Sequence, residues 1–223
     1  MWARRVTPII LVAALFLVPA KADLIVAGST SAIFANPSGS TGVNGNVWNY
    51  DPNDPTGYGT VTFNGTGFSG SHYGSFNFGS ITLANNGQQP NGEFAVDLVL
   101  TILFTTPAGQ HVTFTDGLEV DAKPGSSHSD ELELDILGFP GPQFFTVDGT
   151  TYEVAYDGFF NSSTNNGTRV TSLFVPNHGG TATAYLWGSV TDPPSSVPEP
   201  ASVCFLATVV GGIFQSLRRK MGH

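Results

Sequence analysis

The residues best equipped for chemistry in this 223-residue chain are carboxylates, and they come in groups. Glu131, Glu133 and Asp135 alternate with Leu132, Leu134 and Ile136. As a strand, that order puts three acids on one face, about 7 Å apart, and three aliphatics on the other. A glycosidase needs one carboxyl in an apolar pocket and a partner at a set distance across the substrate. Three acids in a row on a strand read instead as its solvated face, and Asp116, Glu119 and Asp121 read the same way. Asp51, Asn53 and Asp54, in a loop constrained by Pro52 and Pro55, offer the hard oxygen ligands that calcium takes, with Asp148 or Asp157 to complete the set. Their spacing is not that of an EF-hand, and turns that use Asn and Asp side chains as local acceptors explain the same residues. No metal site and no cofactor is therefore assigned, calcium being the one ion this chemistry would suit.

Nucleophiles are scarce. The sole cysteine, Cys204, lies in an apolar run near the C-terminus, so the body holds neither a disulfide nor a thiolate site. His72, His111, His128 and His178 form no close pair with metal-ligand spacing, and no serine sits in a Gly-x-Ser-x-Gly turn; Gly67-Phe68-Ser69-Gly70 is one residue short. No residue is assigned a catalytic role. Trp48, Tyr50, Tyr58, Tyr73, Tyr185 and Trp187 are of the type that stacks on sugar rings. Trp48 and Tyr50, in the longest irregular stretch (36–59), are the candidate glycan contacts; Tyr185 and Trp187 suit burial in a strand equally well. Thr60-x-Thr62, Thr113-x-Thr115 and Thr181-x-Thr183 have the composition of ice-facing threonine ranks, but their uneven spacing reads as exposed strand faces. Asn64-Gly65-Thr66, Asn161-Ser162-Ser163 and Asn166-Gly167-Thr168 match the glycosylation sequon and read as turns.

The elements that must carry these residues are strands. Phe94, Val96, Leu98, Leu100, Ile102 and Phe104 line one face of a long strand, and Val99 and Leu103 make its other face partly apolar, which suits a central position. Period-two alternation predicts further strands over 61–63, 75–83, 111–115, 131–136, 144–147, 152–156, 169–175 and 181–190. Asn64-Gly65, Asn86-Gly87, Asp116-Gly117, Asp148-Gly149 and Asn166-Gly167 are pairs that turn cheaply. No amphipathic helix appears before residue 200. The expectation is an all-β antiparallel sandwich, jelly-roll or immunoglobulin-like, over residues 23–191.

Both ends read as processing segments. Arg4 and Arg5, the apolar residues 6–18, and small Ala20 and Ala22 compose a signal peptide over residues 1–22, cleaved after Ala22. A Pro/Ser linker over 192–200 leads to an uncharged run at 201–217, about 25 Å long as a helix and just enough to cross a membrane. Arg218, Arg219 and Lys220 in the 218–223 tail form a basic stop on its cytoplasmic side. Between Asp23 and Val197 only Lys123 and Arg169 are basic, against sixteen acidic residues, so this stretch is near −14 while the whole chain is −9. That field argues against nucleic acid and anionic membrane surfaces as partners and favours solubility.

Val197-Pro198-Glu199-Pro200, the apolar run and the Arg-rich end together resemble the PEP-CTERM sorting signal of exopolysaccharide-producing bacteria. The resemblance covers residues 197–220. It implies a membrane-embedded exosortase as partner, cutting near Pro198-Glu199-Pro200 and transferring or releasing the body at the cell surface. In the body, the segments 76–83, 96–107 and 145–159 resemble the choice-of-anchor K family, also described as THxN proteins, although His72 here follows Ser71 and precedes Tyr73-Gly74. That resemblance implies a non-enzymatic, β-rich surface domain. The function expected is that of an exported, surface-sorted component of the extracellular polysaccharide matrix, membrane-anchored during sorting. The alternatives are a calcium-assisted lectin-like module contacting glycan through Trp48, and, further off, an extracellular glycan-active enzyme.

Overall fold

A computed structural model describes residues 24–38, 42–50, 59–86, 92–123, 131–138, 140–176 and 179–192. The signal segment with Ala20 and Ala22, the Asp51–Asp54 loop, Tyr58, His128, His178, the Val197-Pro198-Glu199-Pro200 motif, the apolar run and the basic stop all lie outside the described residues. Among the described residues no helix is long and apolar enough to cross a membrane.

The described chain is all-β. In order it forms β1 (Ile25–Ala35), β2 (Gly42–Asn44), β3 (Val47–Asn49), β4 (Gly59–Asn64), β5 (Gly67–Ser71), β6 (Ser75–Asn85), β7 (Gly92–Thr106), β8 (His111–Lys123), β9 (Glu131–Ile136), β10 (Gln143–Val147), β11 (Thr150–Phe160), β12 (Arg169–Val170), β13 (Ser172–Val175) and β14 (Thr181–Thr191). Two antiparallel sheets face one another. One has the order β13-β9-β8-β7-β1-β5; the other has β10-β11-β14-β6-β4-β3-β2, with β12 beside β11.

Side-chain alternation builds the core between them. Val96, Leu98, Leu100, Ile102 and Phe104 of β7 are buried, as are Val112, Phe114, Leu118 and Val120 of β8. Facing them are Phe76, Phe78, Ile81 and Leu83 of β6, Val154 and Phe159 of β11, and Leu186 and Val190 of β14. β7 is central, and its other face carries Leu103, half exposed. Burying these rows removes a large apolar area from water, which is the main favourable term for a fold with no disulfide in its body.

Several expectations need correction. The stretch 36–59 is not irregular throughout, because β2 and β3 form a hairpin in it. The expected strand over 169–175 is two strands: β12 pairs with β11 in one sheet and β13 with β9 in the other, the chain changing sheets at Thr171. Asp116-Gly117 is no turn; both residues lie inside the 13-residue β8. Asp148-Gly149 does turn the β10–β11 hairpin, with φ of 48° and 77°. β1 carries few large side chains and no regular apolar alternation, yet it lies between β7 and β5.

The ends of the fold converge. Ile25 pairs with Ser71, Ala27 with Thr106, Glu153 with Thr191 and Val147 with Thr150. The start of β1 and the end of β14 therefore share a pole with the β5–β6, β7–β8 and β10–β11 turns. Strand ends that flank several of the longer connections (Ala35, Gly59, Asn85, Gly92, Lys123 and Thr181) lie at the opposite pole.

Candidate functional site

The predicted carboxylates divide into two environments. Strand register places Glu93, Asp121 and Glu133 directly opposite one another on β7, β8 and β9, with Glu119 and Asp135 opposed in the next row. Asp97, on the same face, accepts a 2.8 Å hydrogen bond from the Asn36 amide. These side chains are half-buried or exposed. The outer face of the six-stranded sheet is thus an acidic surface about 5 Å between rows of neighbours. Among the described residues, no group of three His, Cys, Asp or Glu side chains is placed to hold a metal ion. Asp148 and Asp157 sit nine positions apart on one extended hairpin arm, roughly 30 Å, and do not join in a common site.

Asp116 belongs elsewhere. It is 2% exposed, on the core face of β8, and its Oδ2 accepts a 2.7 Å hydrogen bond from the Tyr156 hydroxyl on β11, across the two sheets. Burial pushes its carboxyl up to about 6, against the opposing pull of the Tyr156 hydroxyl and the Gly138 and Gly117 amides. Neither amide meets Oδ1 in hydrogen-bonding geometry, so that oxygen has no donor among the described residues. Burial and the Asp116 charge raise the Tyr156 phenol as well. The reading of Asp116 as part of a solvated face is therefore overturned. The signal was present: Val112, Phe114, Asp116, Leu118 and Val120 share one parity, and that parity is the buried one.

Trp48 and Tyr50 do not face a glycan. Both are 0% exposed, in an aromatic series with Phe34 and Phe94 at centroid distances of 6.3, 6.0 and 6.1 Å along Phe34–Trp48–Tyr50–Phe94. β3 pairs with β4 and turns Trp48 onto the core face, which is why residues from a seemingly loose stretch became core. Trp187 is also buried, its indole N–H donating to the Ser162 carbonyl at 3.2 Å. Of the sugar-stacking candidates among the described residues, Tyr73 is the exposed one, at 63%. The threonines are better ordered than their sequence spacing suggests: Thr62, Thr82 and Thr183 stand side by side on β4, β6 and β14, and the last two are hydrogen-bonded at 3.0 Å.

A cluster of polar groups lies at the shared pole. His72, 3% exposed in the β5–β6 turn, lies between the two ends of the body. Its backbone N–H donates to the Leu24 carbonyl at 2.9 Å, its Nδ1 is 3.2 Å from the same oxygen, and its Nε2 is 3.5 Å from Asp192 Oδ1, an ion-pair distance outside hydrogen-bonding geometry. The Tyr73 hydroxyl donates to Asp192 Oδ2 at 3.0 Å, and the Tyr152 ring meets His72 edge-on at 5.6 Å. Burial and the Asp192 and Asp148 charges raise the Tyr152 phenol. In a catalytic dyad an acid orients one ring nitrogen while the other faces a nucleophile. Here the second nitrogen faces a backbone carbonyl, which offers nothing to activate. Sequence reasoning missed this site because its members lie at 24, 72–73, 152 and 192, and only the topology joins them.

Neither a protein-family model nor a curated protein matches this chain.

Proposed function

We propose that this chain is an exported, surface-sorted, non-enzymatic component of an extracellular polysaccharide matrix. Its N-terminal segment directs export, and its Val197-Pro198-Glu199-Pro200 motif, apolar run and basic stop hold it in the membrane until an exosortase-type enzyme processes it. The observation that supports this reading is the convergence of the body's two ends on His72, through Leu24 and Asp192. A body attached at that pole projects its opposite pole, with several of the longer connections, away from the surface. The acidic outer face of the six-stranded sheet keeps such a body soluble and repels anionic lipid. Recurrent passage of the chain between sheets, at β4–β5–β6 and β12–β13–β14, favours a jelly-roll type of sandwich over an immunoglobulin type.

Replacing Pro198, Glu199 and Pro200 with alanine in an exopolysaccharide-producing host tests the sorting step. The variant is expected to accumulate unprocessed in the membrane fraction, while the wild type leaves it for the surface or matrix. Equal distribution of the two would contradict the proposal. Saturable binding of the full chain to the host's polysaccharide, abolished by a chelator, would instead establish the calcium-assisted lectin reading.

A further inference from the structure

We infer that His72 is an acid-engaged latch: its doubly protonated ring ties the root of β1 at Leu24 to the root of the C-terminal linker at Asp192. The argument is one of donors and acceptors. Nδ1 faces the Leu24 carbonyl oxygen at 3.2 Å and Nε2 faces the Asp192 carboxylate at 3.5 Å. Both neighbours are pure acceptors. A neutral imidazole carries a single N–H, so either tautomer satisfies one oxygen and points a lone pair at the other. The imidazolium presents an N–H to each, hydrogen-bonded to the Leu24 carbonyl and at ion-pair distance from the Asp192 carboxylate. At 3% exposure the ring cannot turn to water for a substitute partner.

The groups around the ring agree. Asp192 reaches it from the end of β14, its other oxygen held by the Tyr73 hydroxyl, so its orientation is set. Tyr73 lies against the ring at 3.7 Å and Tyr152 of β11 edge-on at 5.6 Å; Asp148, in the β10–β11 turn, acts on Tyr152 from the same side. The residue preceding β1 contributes the Leu24 carbonyl. No basic side chain is among these described contacts. The latch belongs to the folded body and does not depend on how the tail is processed.

A double-mutant cycle on the full chain tests it, with wild type, His72→Gln, Asp192→Asn and the double variant melted at about pH 5.5 and about pH 8, either side of the usual histidine charge change. Acid stabilisation from Asp116 is common to all four proteins and cancels. The His72–Asp192 coupling is expected to appear at the lower pH as about 2–4 °C of Tm and to vanish at the higher. Equal coupling at both pH values, or none at either, would overturn the latch. If His72→Gln does not fold, ring-nitrogen NMR of the wild type and Asp192→Asn decides instead. Two protonated ring nitrogens at about pH 5.5 in the wild type, and fewer in the variant, support the latch. Identical titrations in the two contradict it.

Discussion

Asp116→Asn is expected to flatten the pH dependence of folding stability and to raise stability at neutral pH by about 1–3 kcal/mol. The carboxyl titrates near 3.8 when unfolded and at about 6 in the folded protein, chiefly because burial between the sheets disfavours its charge. A raised folded value means that the folded state holds the proton more tightly. The associated stability is fully present below about pH 3.8 and is lost as pH rises through about 6. Complete ionisation costs about 3 kcal/mol at roughly 1.4 kcal/mol per unit. Asparagine has no charge to bury, and its carbonyl still accepts the Tyr156 hydroxyl. Urea unfolding of both proteins between about pH 4.5 and 8 measures this, and the difference between the profiles isolates Asp116 from other titrating groups. Parallel profiles would contradict the assignment. Tyr156→Phe should steepen the wild-type dependence, because it removes the hydrogen bond that favours the charged carboxyl.

Trp48→Ala is expected to cost about 3–5 kcal/mol of stability, the range for deleting a large aromatic from a packed interior. The indole is 0% exposed, wedged between Phe34 and Tyr50, and its Nε1 has no acceptor among the described residues. Trp48→Phe keeps most of the ring contact and removes the unpaired N–H, so its cost should fall to about 1–2 kcal/mol. Thermal and urea melts of the two variants measure the ordering. If both were as stable as the wild type, Trp48 would not be core. A loss of sugar binding in Trp48→Ala at a temperature where the variant is unfolded would report folding, and carries no information about a glycan site.

The strands with clean alternation were legible. β7, β9 and the β10–β11 hairpin follow from period two and from Asp148-Gly149, and they set the all-β class. Legibility failed where the backbone changes phase. Gly79, at φ 132°, makes a bulge in β6 that puts Phe76 and Phe78 on one parity and Ile81 and Leu83 on the other, all four buried. Gly158, at φ 104°, does the same between Tyr156 and Phe159 in β11. A bulge adds one residue to one strand, so the alternation reads as broken although the strand continues. β1 was illegible for a different reason. Ser29, Thr30, Ser31 and Ala32 are too small to show a face, and the strand is held by neighbours rather than by propensity.

Site residues followed the same division. Glu133 and Asp135 lie on the solvated face that their alternation predicts. Asp116 was misread because the Asp116-Gly117 pair reads as a turn, which outweighed the parity of its own strand. Trp48 and Tyr50 were misread because a two-strand hairpin with short arms leaves little periodic signal. The His72 pole has no sequence signature, since its parts come from both ends and the middle of the chain.

The most direct test of the proposed function is the intact mass of the protein recovered from the surface and medium of an exporting, exopolysaccharide-producing host. The account predicts a chain that begins at Asp23 and ends within residues 197–200, with its fold complete from β1 through β14. Recovery of a chain that keeps residues 201–223, in the same fractions and at the same abundance, would contradict it.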